Sequence, residues 1–118
     1  MSTRGVYTFI DERERFHVYK HWDNYPTDSR NPDIGAYAWI RQAKDKAWEL
    51  PRFEASEFAT AFIAKHKTDG GGGVYLTKHY NRHADIEYRY EIRQVGDKLE
   101  VRTFYMYDKN EKFPKVYL

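Results

Sequence analysis

The chain of 118 residues contains no cysteine and no long apolar run. The missing cysteine excludes disulfide bonds and metal sites built on thiolate ligands. A membrane-spanning helix needs roughly 20 apolar residues, and no segment approaches that length. The first twelve residues, MSTRGVYTFIDE, lack the apolar core of a secretion signal. We therefore expect a cytoplasmic protein without a membrane segment.

The chain also lacks an excess of charge of one sign. Its 20 basic and 18 acidic residues are interleaved and give a net charge of +2. Such a balance makes nucleic acid an unexpected partner, because nucleic-acid-binding surfaces concentrate positive charge. What is abundant is aromatic residues, at 18% with eleven Tyr. We expect a single domain, residues 1–118, and a homo-oligomer, because a chain of this size does not hide all of its rings.

Two alternating segments near the N-terminus predict a β-hairpin. GVYTFI, residues 5–10, is β-branched and aromatic, and RFHVYKHW, residues 15–22, resumes after a polar turn. In the second segment one predicted face carries Phe16, Val18, Lys20 and Trp22, and the other carries Arg15, His17, Tyr19 and His21. The turn fixes the location of this hairpin better than its register.

The middle of the chain predicts two helices. The first begins near Asp33, where Asn31 or Asp33 is the expected cap, and ends before Pro51, which removes an N–H donor. Its apolar stripe is formed by Ala36, Ile40, Ala43 and Ala47. A second helix covers about residues 54–66. Strand-forming segments VYLT, IEYRYEIR and LEVRTFYMYD follow. The order ββ-αα-βββ predicts an α+β fold, a mainly antiparallel sheet with two helices on one face.

Two features suggest familiar chemistry but fit it poorly. The run TDGGGG lacks the Lys-Ser/Thr of a phosphate loop and precedes a strand, so we interpret it as a plain connection. His17 and His21 are four apart, as are His79 and His83, a spacing that binds zinc on a helix. On a strand the two residues of a pair lie about 13 Å apart along the backbone. A metal site would have to combine one His of each pair with an acid such as Asp23 or Asp85, so we expect no metal and no cofactor.

The strand IEYRYEIR leaves two interpretations open. Its charged face pairs across to a neighbouring strand, or Arg89 or Arg93 forms the floor of an anion pocket. The alternating Glu residues argue against a bare phosphate surface, because they occupy the guanidinium groups.

Residues 20–26 carry a resemblance. Lys20-His21-Trp22-Asp23-Asn24-Tyr25-Pro26 resembles the [K/R]-x-W-D-G-Y-P hallmark of small proteins encoded by phages and prophages, with Asn in place of the usual Gly. Asn is acceptable there because it tolerates positive φ. The likeness covers about the first third of the chain. It implies a viral or mobile-element origin, and no activity is associated with the group.

The same stretch supports two interpretations. In the structural one, Asp23 caps the turn, Trp22 fills the seam between sheet and helix, and Tyr25-Pro26 stiffens the exit. In the functional one, rings and cations from two segments line one pocket for a nucleobase and its phosphate. The candidate ligand-binding residues are Lys20, His21, Trp22, Tyr25, His79, Arg82 and His83.

The sequence therefore predicts a non-catalytic protein that captures a small anionic, nucleotide-like ligand or a host component. A counter-defence role follows from the phage resemblance alone. One alternative is a phosphodiesterase or nuclease that uses His21 and His83 as base and acid, with or without a metal. Another is a protein–protein adaptor without a small-molecule ligand, because Tyr and Trp are common anchors of interfaces. No nucleophile elbow or metalloprotease motif favours the enzyme.

Overall fold

The computed structural model of the protein describes residues 3–68, 72–80 and 85–118, and it has the predicted α+β fold. Within these ranges no helix has the length and apolar character that crossing a membrane requires. The elements in chain order are β1 (Gly5–Ile10), β2 (Arg15–Lys20), α1 (Ala36–Lys44), α2 (Ala55–Thr68), β3 (Val74–Thr77), β4 (Tyr88–Val95), β5 (Lys98–Tyr105) and β6 (Val116–Tyr117).

The strands form one six-stranded sheet in the order β3-β2-β1-β4-β5-β6. Neighbouring strands are antiparallel except for β1 and β4, which run parallel at the centre of the sheet with Gly5 opposite Tyr88. The predicted order of strands and helices and the mainly antiparallel sheet are confirmed. The C-terminal tail, residues 109–118, adds the short strand β6.

The core lies between the two helices and one face of the sheet. The Tyr7 ring is fully buried and stacks on Tyr90 at 5.0 Å between centroids, and Phe62 of α2 closes on it at 4.5 Å. Large rings take the place of aliphatic side chains here, since each removes roughly 150–250 Å² from water. The aromatic composition is thus used mainly for packing.

The other face of the sheet carries the charges of β4. Glu91 accepts hydrogen bonds from Arg89 at 2.6 Å and from Arg93 at 3.2 Å. Val6 of β1, on this same face, is fully buried and packs with Ile86. Ile86 lies in the segment that leads into β4. This helix-free face is therefore partly covered by the chain itself.

Helix α1 begins three residues later than Asp33 and ends at Lys44, so the expected end just before Pro51 and the place of Ala47 in its stripe are wrong. It has no side-chain cap, so the expectation of Asn31 or Asp33 as the cap is also wrong. Its N-cap is Gly35, at a φ of 108°. The amides of Ala36 and Tyr37 donate instead to the carbonyls of Tyr25 and Pro26, at 2.8 and 3.2 Å. A Cβ on Gly35 would approach these same carbonyls to 3.1–3.2 Å, so glycine permits the close approach. The first turn of α1 is capped by the backbone of the preceding loop.

Candidate functional site

We call residues Lys20–Pro26 the anchor segment, and Lys20 is its most unusual member. Lys20 ends β2 on the helix-covered face, and its side chain is fully buried. Its Nζ lies 4.0 Å from the ring centroid of Trp22 and 4.8 Å from that of Trp39, and it forms no hydrogen bond within the described chain. Burial lowers the pKa of Lys20 to about 8, against an opposing effect of Asp23. The ammonium is held by ring faces and has no open path to a ligand.

Asn24 holds several parts of the fold together. It is fully buried; its Nδ2 donates to the carbonyls of Thr3 and Lys20 at 2.7 and 2.8 Å, and its Oδ1 accepts from the Tyr7 hydroxyl at 2.6 Å. The Asn24 carbonyl accepts from the Tyr90 hydroxyl at 2.5 Å. Every side-chain polar atom of Asn24 is therefore satisfied inside the core, and β1, β2 and β4 meet at this residue.

The neighbouring residues join the sheet to α1. Asp23 adopts the left-handed conformation with φ of 58°, so the positive φ expected at Asn24 belongs to Asp23. Its carbonyl accepts a hydrogen bond from Trp39 Nε1 at 2.8 Å. Gly73 packs so closely on Trp22 that a Cβ there would lie 2.9 Å from the ring. The packing of Trp22 against the core agrees with its place in the structural interpretation, as a ring that fills the seam between sheet and helix.

The remaining candidate residues are spread over different surfaces. His21 Nδ1 shares a 2.8 Å hydrogen bond with the Tyr19 hydroxyl on the helix-free side. Tyr25 is 51% exposed and its ring meets Tyr88 edge-on at 5.8 Å. His79 is exposed beyond β3. Arg82 and His83 lie outside the described residues, so the predicted meeting of the two histidine clusters, and with it the His21–His83 pair of the enzyme hypothesis, stays a prediction.

No metal centre is found in the described ranges. No group of three or more His, Asp or Glu side chains there is arranged to hold an ion. A depression of about 630 Å³, beside the β1–β2 turn, is lined by four carboxylates and two Arg. One of these carboxylates, Asp11, is occupied: it accepts from the amides of Ala55, Arg13 and Glu14, each at 2.8 Å. The bond from Ala55 is the largest of the effects that lower the pKa of Asp11. Asp11 thus caps the first turn of α2. The excess of carboxylates makes this depression a poor site for an anion.

A second depression has the opposite character, and we call it the β5 cleft. It has a volume of about 450 Å³, within the usual range of ligand pockets, and lies along the outer edge of β5 where the tail turns back. Five cations, four aromatic rings and one carboxylate line it. They are Arg89, Arg102, Lys109, Lys112, Lys115, Tyr80, Phe104, Tyr105, Phe113 and Glu111.

The cations of the β5 cleft are only partly neutralised. Arg89 is paired with Glu91, yet its Nε is buried and forms no hydrogen bond to the described chain. Its guanidinium lies 3.9 Å from the Tyr80 ring centroid and 5.5 Å from that of Phe104. Arg102 pairs with Glu100 at 3.2 Å and stays 44% exposed. The result is a positive surface between two partly exposed rings, Tyr80 and Phe104.

The floor of the cleft also offers backbone groups. Leu99 and Leu118 exchange both of their backbone hydrogen bonds, at 2.8 and 2.9 Å. In an antiparallel ladder every second residue points the same way, so Thr103 and Tyr105 also turn their N–H and C=O groups outward. Strand β6 pairs only with Glu100 and Val101. The outward N–H and C=O groups of Thr103 and Tyr105 therefore pair with no described strand and face the cleft.

Sequence reasoning identified one part of this cleft and missed the rest. Arg89 was an open candidate for an anion pocket, and it does line the β5 cleft. The tail KNEKFPKVYL was left unassigned, although its three lysines flank a phenylalanine. The spacing of these lysines around a ring could have indicated an anion-binding segment. It indicates a pocket only once the fold places the tail against β5.

No family model, curated protein or solved structure matches the chain. The motif resemblance and the origin that it implies stay predictions.

Proposed function

We propose that the protein binds a small nucleotide-like anion without catalysis, and that the β5 cleft is the binding site. The observation that carries this proposal is the combination of five cations, one carboxylate and four rings around one depression. The ligand class is the one that the sequence suggested. The site differs, because the anchor segment uses its rings and its lysine to hold the fold.

The three kinds of group in the cleft match the three parts of a nucleotide. Phe104 and Tyr80, 38% and 37% exposed, offer ring surfaces for a base. The outward N–H and C=O groups of Thr103 and Tyr105 are placed for the hydrogen-bonding edge of that base. Cationic side chains form charge-assisted hydrogen bonds to phosphate oxygens.

The charge of the cleft favours more than one phosphate. Three lysines of the tail, Lys109, Lys112 and Lys115, form no ion pair within the described chain. Desolvation is the main reason why the pKa of the nearby Tyr105 is raised, with Glu87 and Glu111 adding to it. Its phenol is therefore neutral at physiological pH and does not repel a phosphate. We expect a nucleoside triphosphate to bind more tightly than a monophosphate.

Isothermal titration calorimetry with ATP, AMP and inorganic triphosphate tests the proposal. ATP should bind best, and its affinity should fall as salt is raised, because phosphate contacts are screened. Phe104→Leu should weaken ATP about tenfold and leave inorganic triphosphate unchanged, since it removes only stacking. Lys112→Ala should weaken both, by about five- to tenfold.

Two matched variants control for nonspecific effects. Tyr25→Leu removes a ring that is 51% exposed in the anchor segment, and Lys98→Ala removes an exposed cation at the β4–β5 turn. Both should bind ATP as the unmodified protein does. Loss of ATP binding in Tyr25→Leu alone would return the site to the anchor segment. No heat with any of the three ligands at millimolar concentration would overturn the proposal.

One observation favours the adaptor hypothesis as a second candidate. The outward backbone groups of Thr103 and Tyr105 are also what an extended peptide needs to add a strand to β5. The lysines of the cleft would then select acidic side chains. An acidic peptide that binds in a titration where ATP does not would support this candidate over the nucleotide.

A further inference from the structure

The two edges of the sheet are built differently. At one edge, β6 is only two residues long and directly follows Pro114 and Lys115, and these features discourage the pairing of β6 with another strand. The opposite edge is β3, Val74–Thr77, which contains no charge and no proline. Leu76 on this edge is 57% exposed. No described strand pairs with the outer side of β3.

The backbone of β3 is oriented for pairing on that outer side. His21 donates to the Gly73 carbonyl at 3.0 Å, so Gly73 faces β2. By the alternation of an antiparallel ladder, Tyr75 and Thr77 also face β2, and Val74 and Leu76 turn their N–H and C=O groups outward. The outer edge thus presents hydrogen-bonding groups at Val74 and Leu76.

We propose that β3 pairs antiparallel with β3 of a second copy of this chain, about a two-fold axis at Leu76. A two-fold interface is self-complementary, because each copy presents the same patch to the other. With Leu76 on the axis, each Leu76 exchanges both outward backbone hydrogen bonds with its counterpart. A register centred on Tyr75 would instead pair Val74 with Leu76 of the partner subunit and would place the two Tyr75 side chains opposite each other on the helix-free face. The two sheets become one sheet of twelve strands.

The charges permit this arrangement. Tyr75 then faces Thr77 of the partner subunit, and Lys78 faces Val74 of the partner subunit. The two Lys78 residues are four residue steps apart, about 14 Å at the rise of a strand. That distance exceeds the Debye length of about 8 Å at physiological salt, so their repulsion is screened. A parallel pairing would place them side by side.

The side chains add an apolar contact on the helix-covered side. Leu76 and Phe16 line a shallow depression of about 400 Å³ at this edge, with Arg15 and Lys78 at its rim and no carboxylate among its lining residues. Leu76 of the partner subunit covers the apolar part of this depression. A four-residue edge buries less than the roughly 1,200 Å² of stable interfaces, so the dimer is a weak one that forms at high protein concentration.

Sedimentation velocity over a concentration series tests the proposal. The unmodified protein should shift from monomer to dimer as its concentration rises. Leu76→Lys should stay monomeric, because a charged side chain on an edge strand opposes pairing with a second strand. The control is Val95→Lys at the β4–β5 turn, where the native side chain is 48% exposed. This control should dimerise as the unmodified protein does. The melting temperature of each variant shows that it is folded.

A cross-linking experiment tests whether the two β3 edges meet. Because the chain has no cysteine, Leu76→Cys introduces the sole thiol. A short bis-maleimide should join two such chains, and Val95→Cys should remain a monomer under the same conditions. A protein that is monomeric at every concentration would overturn the proposal and leave β3 to a strand of another protein. Dimerisation of Leu76→Lys equal to that of the unmodified protein would overturn it as well.

Discussion

The anchor segment and the β5 cleft use the same kinds of residue for opposite purposes. Both combine rings with cations, and in the sequence they look alike. In the anchor segment the side chain of Asn24 has a partner at each polar atom and Lys20 is enclosed by indole rings. In the β5 cleft the three tail lysines form no ion pair within the described chain, and no described strand pairs with the outer side of β5 beyond Val101. The anchor segment encloses the polar groups of Lys20 and Asn24 within the fold, whereas the β5 cleft presents its cations and rings at the surface.

The strongest test of this contrast is Asn24→Ala. The change removes three hydrogen bonds from the core, those that the Thr3 and Lys20 carbonyls accept and the one that the Tyr7 hydroxyl donates. Each unsatisfied buried group costs about 1–3 kcal/mol, so we expect a loss of about 4 kcal/mol in the free energy of unfolding. Urea denaturation followed by circular dichroism measures it. Asn110→Ala, at an exposed position, should stay within about 0.5 kcal/mol.

Trp22→Ala should lower the free energy of unfolding by about 3 kcal/mol, because a large half-buried ring leaves a cavity against the core. The affinity of the remaining folded protein for ATP should not change, since Trp22 lies outside the β5 cleft. Parallel denaturation and calorimetry separate the two effects. If Trp22→Ala were as stable as the unmodified protein but no longer bound ATP, Trp22 would be a ligand contact, and the anchor segment rather than the β5 cleft would be the binding site.

Lys20→Met should make stability less dependent on pH. The pKa of Lys20 falls from 10.5 in the unfolded chain to about 8 in the fold, so the unfolded state binds more protons between these values. Stability therefore rises with pH across this window, and the cost at pH 7 is at most about 3 kcal/mol. Lys20→Met should be more stable at pH 7, and its advantage should shrink towards pH 10.

The ionisation of tyrosines sets the upper pH limit of that measurement. Burial raises the pKa of Tyr7 well above 10.0, so above pH 10 the unfolded chain loses protons that the fold retains, and stability falls. Unfolding free energies at pH 7, 8, 9 and 10 are therefore the informative set. A difference between Lys20→Met and the unmodified protein that is flat over this range would contradict the assignment of Lys20.

Phe104→Leu should change stability less than Asn24→Ala, Trp22→Ala or Lys20→Met does. Phe104 is 38% exposed on β5, and leucine keeps part of its apolar area. We expect a change of less than about 1 kcal/mol in the free energy of unfolding beside the tenfold loss of ATP affinity. A large loss of stability without a change in affinity would make the ring a packing element like those of the anchor segment.

Local patterns predicted the elements well, and contacts between distant residues escaped them. Alternation located β1, β2 and β4, and the apolar stripe located α1. The start of α1 was misplaced because its cap comes from the carbonyls of Tyr25 and Pro26, and backbone atoms leave no trace in composition. The β5 cleft was missed because Tyr80, Arg89 and the tail come together only through the sheet order.

The parallel pairing of β1 with β4 governs how the molecule can be made. Gly5 meets Tyr88, so the centre of the sheet joins the first strand to one near the end of the chain. Contacts of such long sequence separation slow folding, since a large loop must close first. During synthesis the N-terminal hairpin and both helices emerge before their central partner. Asn24 stays incomplete until Tyr90 arrives, so the motif becomes an anchor only when nearly all of the chain has been translated.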